Sequence, residues 1–176
     1  MLLNIGILTI LNLAILLITA ASKDCSPPPD YDAWKYLRSF NDGYIDYEFR
    51  NGTTLCLTLS IEYVAEDQQV AVYNVSSRTM DNPSIQRKLI IYEVEDCSDK
   101  IAVFNSSGTR IWDLKLLYTN YNDCGVLAFG TDYERCAVWL STDASEEGIE
   151  SCLGHYNESC GGIHNVYPKN VGSMQT

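Results

Sequence analysis

Histidine is almost missing from this chain: His155 and His164 are the only two among 176 residues. That scarcity leaves little for imidazole-based catalysis or for metal centres built on histidine. No G-x-S-x-G elbow and no Ser-His-Asp or Cys-His order is present, so no catalytic residue is assigned and no enzyme is expected. Positive charge is also scarce, with 12 Lys and Arg against 23 Asp and Glu and a formal net charge of -11. Binding a phosphate backbone depends on basic residues displacing counterions, so nucleic acid is a poor partner. Internal repeats and low-complexity tracts are absent as well, which excludes solenoid and array architectures.

Residues 1–21, "MLLNIGILTILNLAILLITAA", carry no charged side chain, run mostly apolar from Ile7 to Leu17, and end in small residues. The pattern is that of a secretory signal peptide, with Thr19 and Ala21 at the minus-three and minus-one positions, although the start lacks Lys or Arg. The mature domain is therefore expected at 22–176, secreted and free of the membrane after cleavage. Seven cysteines entering an oxidising compartment read as a disulfide framework. Four sequons, at Asn51, Asn74, Asn105 and Asn157, agree with a secreted glycoprotein, whereas Pro83 disqualifies Asn82. The stretch "ESCLGHYNESCGGIH" places Cys152, His155, Cys160 and His164 at spacings that a zinc knuckle would tolerate. An oxidising compartment and a helical pattern argue for disulfides there instead, so neither a metal nor a cofactor is expected.

After a proline-rich lead-in, Asp30 can cap a short helix "YDAWKYLRSF" that places Trp34, Leu37 and Phe40 on one face, as a lid or plug. Eight β-rich runs follow: "GYIDYEF", "TLCLTLSIEYV", "QVAVYNV", "QRKLIIYEVE", "KIAVF", "RIWDLKLLYTNY", "CGVLAF" and "RCAVWLS". Short polar turns such as "NGT", "AEDQ" and "NSSGT" suit an eight-stranded antiparallel up-and-down barrel, with a β-sandwich as the competing architecture. A C-terminal helix closes the pattern, with acids in its first turn and Ile149, Cys152 and Tyr156 on one face. Cys152 and Cys160 lie about two helical turns apart on nearly the same side, where both can bond to the barrel wall. Tyrosine and tryptophan recur along the strands, so an aromatic-walled barrel that binds a small molecule is the favoured class.

From Leu116 to Gly162 the sequence resembles the end of the tick salivary lipocalins, the histamine-binding-protein family. A tyrosine-rich strand is followed by Cys124 to Leu127, by Cys136 to Trp139, and by a helix bearing Cys152, Tyr156, Cys160 and Gly161. Upstream, Asp32 to Leu37 is similar to the family's opening helix. The resemblance implies a lipocalin barrel with Cys124 bonded to Cys152 and Cys136 to Cys160. A further bridge in the family joins the early-strand cysteine, here Cys56, to one near the C-terminus, but Val171 stands about there. Cys56 is left to bond Cys25 or Cys97 or to stay free, and because seven is odd the alternatives are a free thiol or a disulfide dimer, with a monomer expected.

The family's amine binders use buried carboxylates and aromatic walls, and here Glu93 matches one acid and Phe49 a wall aromatic. Other expected acids are missing: Ala137 stands in "CAVW", Lys115 in the sixth strand, and Gly52 after the first. The resemblance with these departures implies an apolar or amphipathic ligand, such as a sterol, fatty acid or eicosanoid, held by Phe49, Ile91, Glu93, Lys115, Leu117, Ala137 and Trp139. The family also contains amine scavengers and immunomodulators, so a biogenic amine ligand and a host immune-cell protein engaged through glycosylated loops are the alternative expectations.

Overall fold

Residues 30–48, 54–79, 84–130 and 132–160 are described by the computed structural model. Helix α1 (Ala33–Ser39) starts at Asp32, whose side chain accepts a hydrogen bond from the Lys35 amide. Asp32 rather than Asp30 is therefore the cap, because only a carboxylate one residue before the first helical position can reach that donor. The helix buries Ala33, Trp34, Tyr36 and Leu37. A second hold comes from the Tyr121 hydroxyl, which accepts from the Asp32 amide at 3.0 Å, while Lys35 Nζ lies 4.0 Å from the centre of the Tyr121 ring.

Eight strands follow: β1 (Asp42–Glu48), β2 (Thr54–Ala65), β3 (Val70–Thr79), β4 (Gln86–Val94), β5 (Lys100–Asn105), β6 (Arg110–Thr119), β7 (Cys124–Phe129) and β8 (Arg135–Ser141). Each pairs antiparallel with the next and β1 closes on β8, giving an up-and-down lipocalin barrel rather than a sandwich. Register shifts at Ile45/Tyr47, Ile61/Tyr63, Val103/Phe104 and Leu116/Tyr118 interrupt the strand ladders. Such bulges bend strands and change which face the following residues occupy.

Helix α1 plugs one end of the barrel. The Tyr73 hydroxyl donates to the carbonyls of Leu37 and Phe40 at 2.6 and 2.9 Å, and the Ala33 amide donates to the Ser98 carbonyl of the β4–β5 turn. Gly125 is required here by close approach, since a Cβ at that position would collide with the Tyr36 ring.

Helix α2 (Glu146–Cys160) lies outside the barrel against β6, β7 and β8. Ser145 caps it: the Gly148 amide donates to Ser145 Oγ at 3.1 Å, and the Ser145 amide donates to Asp123 Oδ1 at 2.6 Å. That hydrogen bond holds the Asp123 carboxyl below its usual range. Disulfides join Cys124 to Cys152 and Cys136 to Cys160, so the helix is bonded to β7 and to β8. Cys152 and Cys160 are thus committed to sulfur–sulfur bonds. Cys97 is also disulfide-bonded, and with those four cysteines used its partner is Cys25 or Cys56. Cys25 lies outside the described residues, as do residues 1–21, Phe49, Asn51 and His164. Among the described residues, no helix is long and apolar enough to cross a membrane.

Candidate functional site

Barrel strands present alternate residues to the inside, and burial fixes the phase of each one. On β4 the inward set is Ile90, Tyr92 and Val94, all buried, and on β3 it is Ala71, Tyr73 and Val75. Strand β6 contributes Leu114 and Leu116, β7 contributes Leu127 and Phe129, and β8 contributes Ala137 and Trp139.

Near α1 these side chains form an aromatic floor. Trp139 meets Tyr92 edge-on at 5.6 Å between ring centroids, and Tyr92 meets Tyr73 at 5.4 Å in the same manner. Tyr36 reaches in from α1 to 6.4 Å from Trp139. Burial pushes the phenols of Tyr36, Tyr73 and Tyr92 above their ordinary value, because an ionised ring oxygen would lose its solvation. The Tyr36 hydroxyl is buried with no hydrogen-bond partner.

Among the described side chains, none of the buried ones inside the barrel is a carboxylate, while the β1–β8 register sets Glu48 opposite the inward Ala137. The two buried polar side chains among the described residues, Asp99 and Thr119, stand apart from the apolar cluster inside the barrel. Asp99 sits in the β4–β5 turn, 3.7 Å from Lys115 Nζ, and the Thr119 hydroxyl donates to the Cys124 carbonyl.

The residues expected to line the pocket divide according to this phase. Ala137 and Trp139 lie inside the barrel. Ile91 and Glu93 occupy the opposite face of β4, with Glu93 exposed and Ile91 half-buried, which corrects the expectation that they face a ligand. The run "LIIY" is apolar in both phases, so the phase is marked by the acids Glu93 and Glu95, which flank the buried Val94. Lys115 and Leu117 are corrected in the same way: Lys115 pairs outside with Asp99, and Leu117 packs in the cluster beneath α2. Leu117 shares the outer phase of Lys115 by plain alternation, and the bulge at Leu116/Tyr118 keeps Tyr118 on that face as well. Inward residues missed from sequence are Tyr73, Tyr92, Leu114, Leu116 and Phe129, and alternation against Asn74 and Glu93 was the available signal for the first two.

The sequons are set differently. Asn157 is exposed on α2 and Asn74 is half-buried on β3, while Asn105 turns the β5–β6 hairpin by accepting from the amides of Ser107 and Thr109.

A barrel plugged at one end by a helix, bonded to a second helix on its flank and lined by apolar side chains has counterparts among known proteins. The tick histamine binding protein family model matches residues 28–172. The chain belongs to the tick histamine-binding protein family. No curated protein matches it in sequence. Solved structures resemble this family member at low identity. They include AM182 in complex with serotonin, 16% identical with a TM-score of 0.58, covering 83% of this chain and 95% of the other. Japanin from Rhipicephalus appendiculatus bound to cholesterol is 15% identical with a TM-score of 0.56, covering 75% and 92%. The amine binding protein of Rhodnius prolixus in its tryptamine complex is 14% identical with a TM-score of 0.51, covering 82% and 84%. At such identities the likeness concerns the fold. Fold and family together are those of lipocalins that bind small ligands.

Proposed function

We propose that this family member is a secreted carrier of an apolar or amphipathic small molecule, with a sterol, a fatty acid or an eicosanoid as the ligand class, and that it acts by damping host inflammatory or immune responses. The observation that carries the ligand class is the apolar and aromatic interior, with no buried carboxylate among the described side chains that line it. A protonated amine placed there would lose water without gaining a counter-charge, a cost of several kcal/mol for an isolated ion. An apolar ligand meets no such penalty, and each methylene it buries contributes about 0.8 kcal/mol. The cholesterol complex of japanin shows that a similar barrel can hold a lipid. The serotonin and tryptamine complexes of other neighbours keep the amine alternative in view. The signal peptide at 1–21 and glycans at Asn51, Asn74, Asn105 and Asn157 belong to the same proposal.

Mass spectrometry of molecules extracted from protein secreted by eukaryotic cells tests the ligand class. A stoichiometric lipid is expected. Tight binding of histamine or serotonin, with no lipid retained, would overturn the reading. For the immune role, Ala137→Trp fills the inner wall: loss of activity toward host immune cells assigns that activity to the pocket. Retained activity would assign it to the outer loops and to a host protein partner.

A further inference from the structure

The end of the barrel away from α1 carries a cation aimed inward. Arg135 is the first residue of β8 and shares its inward phase with Ala137 and Trp139. Across the ladder it pairs with Phe129, itself buried inside the barrel, and the guanidinium carbon lies 4.9 Å from the centre of the Phe129 ring. Only about a third of the side chain is exposed (32%), and its Nε is buried without a hydrogen-bond partner.

Among the described side chains, the nearest carboxylate does not satisfy it. Glu134 Oε1 is 3.6 Å from Arg135 Nε, beyond hydrogen-bond reach, and the same carboxylate accepts the Asp132 amide at 3.1 Å. A half-buried guanidinium is costly unless an anion or acceptor meets it, and with Nε enclosed by protein the groups left for an incoming acceptor are the terminal Nη amines. Stacking on Phe129 fixes its plane, which reduces the rotamer freedom lost when an acceptor docks.

Resting on the apolar-ligand reading above, we infer that Arg135 holds the carboxylate of a long-chain lipid acid, whose tail runs inward past Ala137 toward Trp139. Planar guanidinium and planar carboxylate match through two parallel N–H···O bonds, and such charge-assisted bonds are the stronger kind. A neutral sterol would leave this donor without an ionic partner, so the site prefers an acid to its ester. The overall charge of -11 opposes an anion only at long range, where salt screens it beyond about 8 Å.

Titration of the glycosylated, delipidated full-length secreted protein with oleate, methyl oleate and cholesterol provides the test, on wild type, Arg135→Gln and Arg135→Lys. Wild type is expected to prefer oleate to its ester by about tenfold or more. Arg135→Gln should remove that preference and leave ester and cholesterol binding unchanged, while Arg135→Lys should restore part of it. Equal binding of acid and ester by wild type would overturn the head-group assignment alone. Parallel loss of all three lipids in Arg135→Gln would also overturn it, because that is the signature of a packing role. Failure of wild type to bind any of the three would overturn the lipid pocket together with this inference.

Discussion

Two walls of the barrel, β7–β8 and β3–β4, are built on opposite plans. Every residue of β7 is buried, as are Cys136 to Leu140 of β8, because the core lies on one side and α2 on the other. Strand β4 has no such cover: its inner residues Ile90, Tyr92 and Val94 are buried, while Leu89 and Glu93 are exposed. A strand covered on both faces reads as a continuous apolar run, and one covered on a single face reads as an alternation. The first kind yields its existence readily and its phase poorly. The second should yield its phase, provided the polar positions are used to set it.

Removing α2's attachment would erase the difference most completely. Replacing Cys124 and Cys152 by Ala is expected to cost roughly 2–4 kcal/mol, and losing the Cys136–Cys160 bridge a similar amount. Urea titration measures this, and hydrogen exchange should show the outer faces of Val126 and Val138 becoming accessible. If α2 remained protected with both bridges gone, its attachment would rest on packing rather than on the disulfides.

A paired substitution sharpens the comparison between inner and outer faces. Trp139→Ala should cost about 3–5 kcal/mol and abolish lipid binding, since it empties the aromatic floor. Glu93→Gln should change stability by less than about 0.5 kcal/mol and leave binding intact, as expected for an exposed side chain. Loss of binding in Glu93→Gln, with retention in Trp139→Ala, would reverse the phase assigned to β4.

pH separates the two regions by sign. The Asp123 carboxyl, lowered by its hydrogen bond from the Ser145 amide, contributes stability that is present above about pH 4 and is lost as pH falls through its folded value. Acid should therefore loosen the start of α2 first. Tyr36, Tyr73 and Tyr92 are raised by burial, so their contribution is intact below about pH 10 and declines as pH rises beyond it, when the unfolded chain ionises and the folded one does not. Alkali should attack the aromatic floor instead. Chemical shifts of Ser145 and Trp139 across both pH ranges would show whether the two regions fail separately.

The smallest expected effect concerns the remaining cysteines. Cys56 pairs with Arg78 near the start of β2, about nine residues and roughly 30 Å of strand away from Ala65. Ala65 pairs with Val70 and Val70 with Glu93, which places Cys97 beyond that far end. Disulfide formation needs Cα atoms within about 7 Å. Peptide mapping without reduction is therefore expected to join Cys97 to Cys25 and to find Cys56 as the odd thiol. A Cys56–Cys97 peptide would contradict the pairing register of β2, β3 and β4.

Much of the fold could be read from local pattern. The eight runs, their polar turns and both helices correspond to the eight strands, α1 and α2, because each depends on residues close together in the chain. The cap at Asp32 differs from the expected Asp30 by half a helical turn, which is the usual uncertainty where two carboxylates flank one start. The inward face was legible only in β8. Ala137 and Trp139 face the barrel interior as expected, while Ile91, Glu93, Lys115 and Leu117 lie on the outer face because one residue of phase inverts a strand.

By itself the sequence determined how many strands form, in what order, and that apolar and aromatic residues dominate them. Spacing, turns and composition act over a few residues and leave their trace in the chain. Tertiary structure alone decided which face of each strand looks inward, that Arg135 stacks on Phe129 at the far rim, and that α2 covers β7 and β8. Those outcomes depend on bulges, on barrel closure between β1 and β8, and on cover supplied by residues distant in the chain. No window of local sequence contains that information.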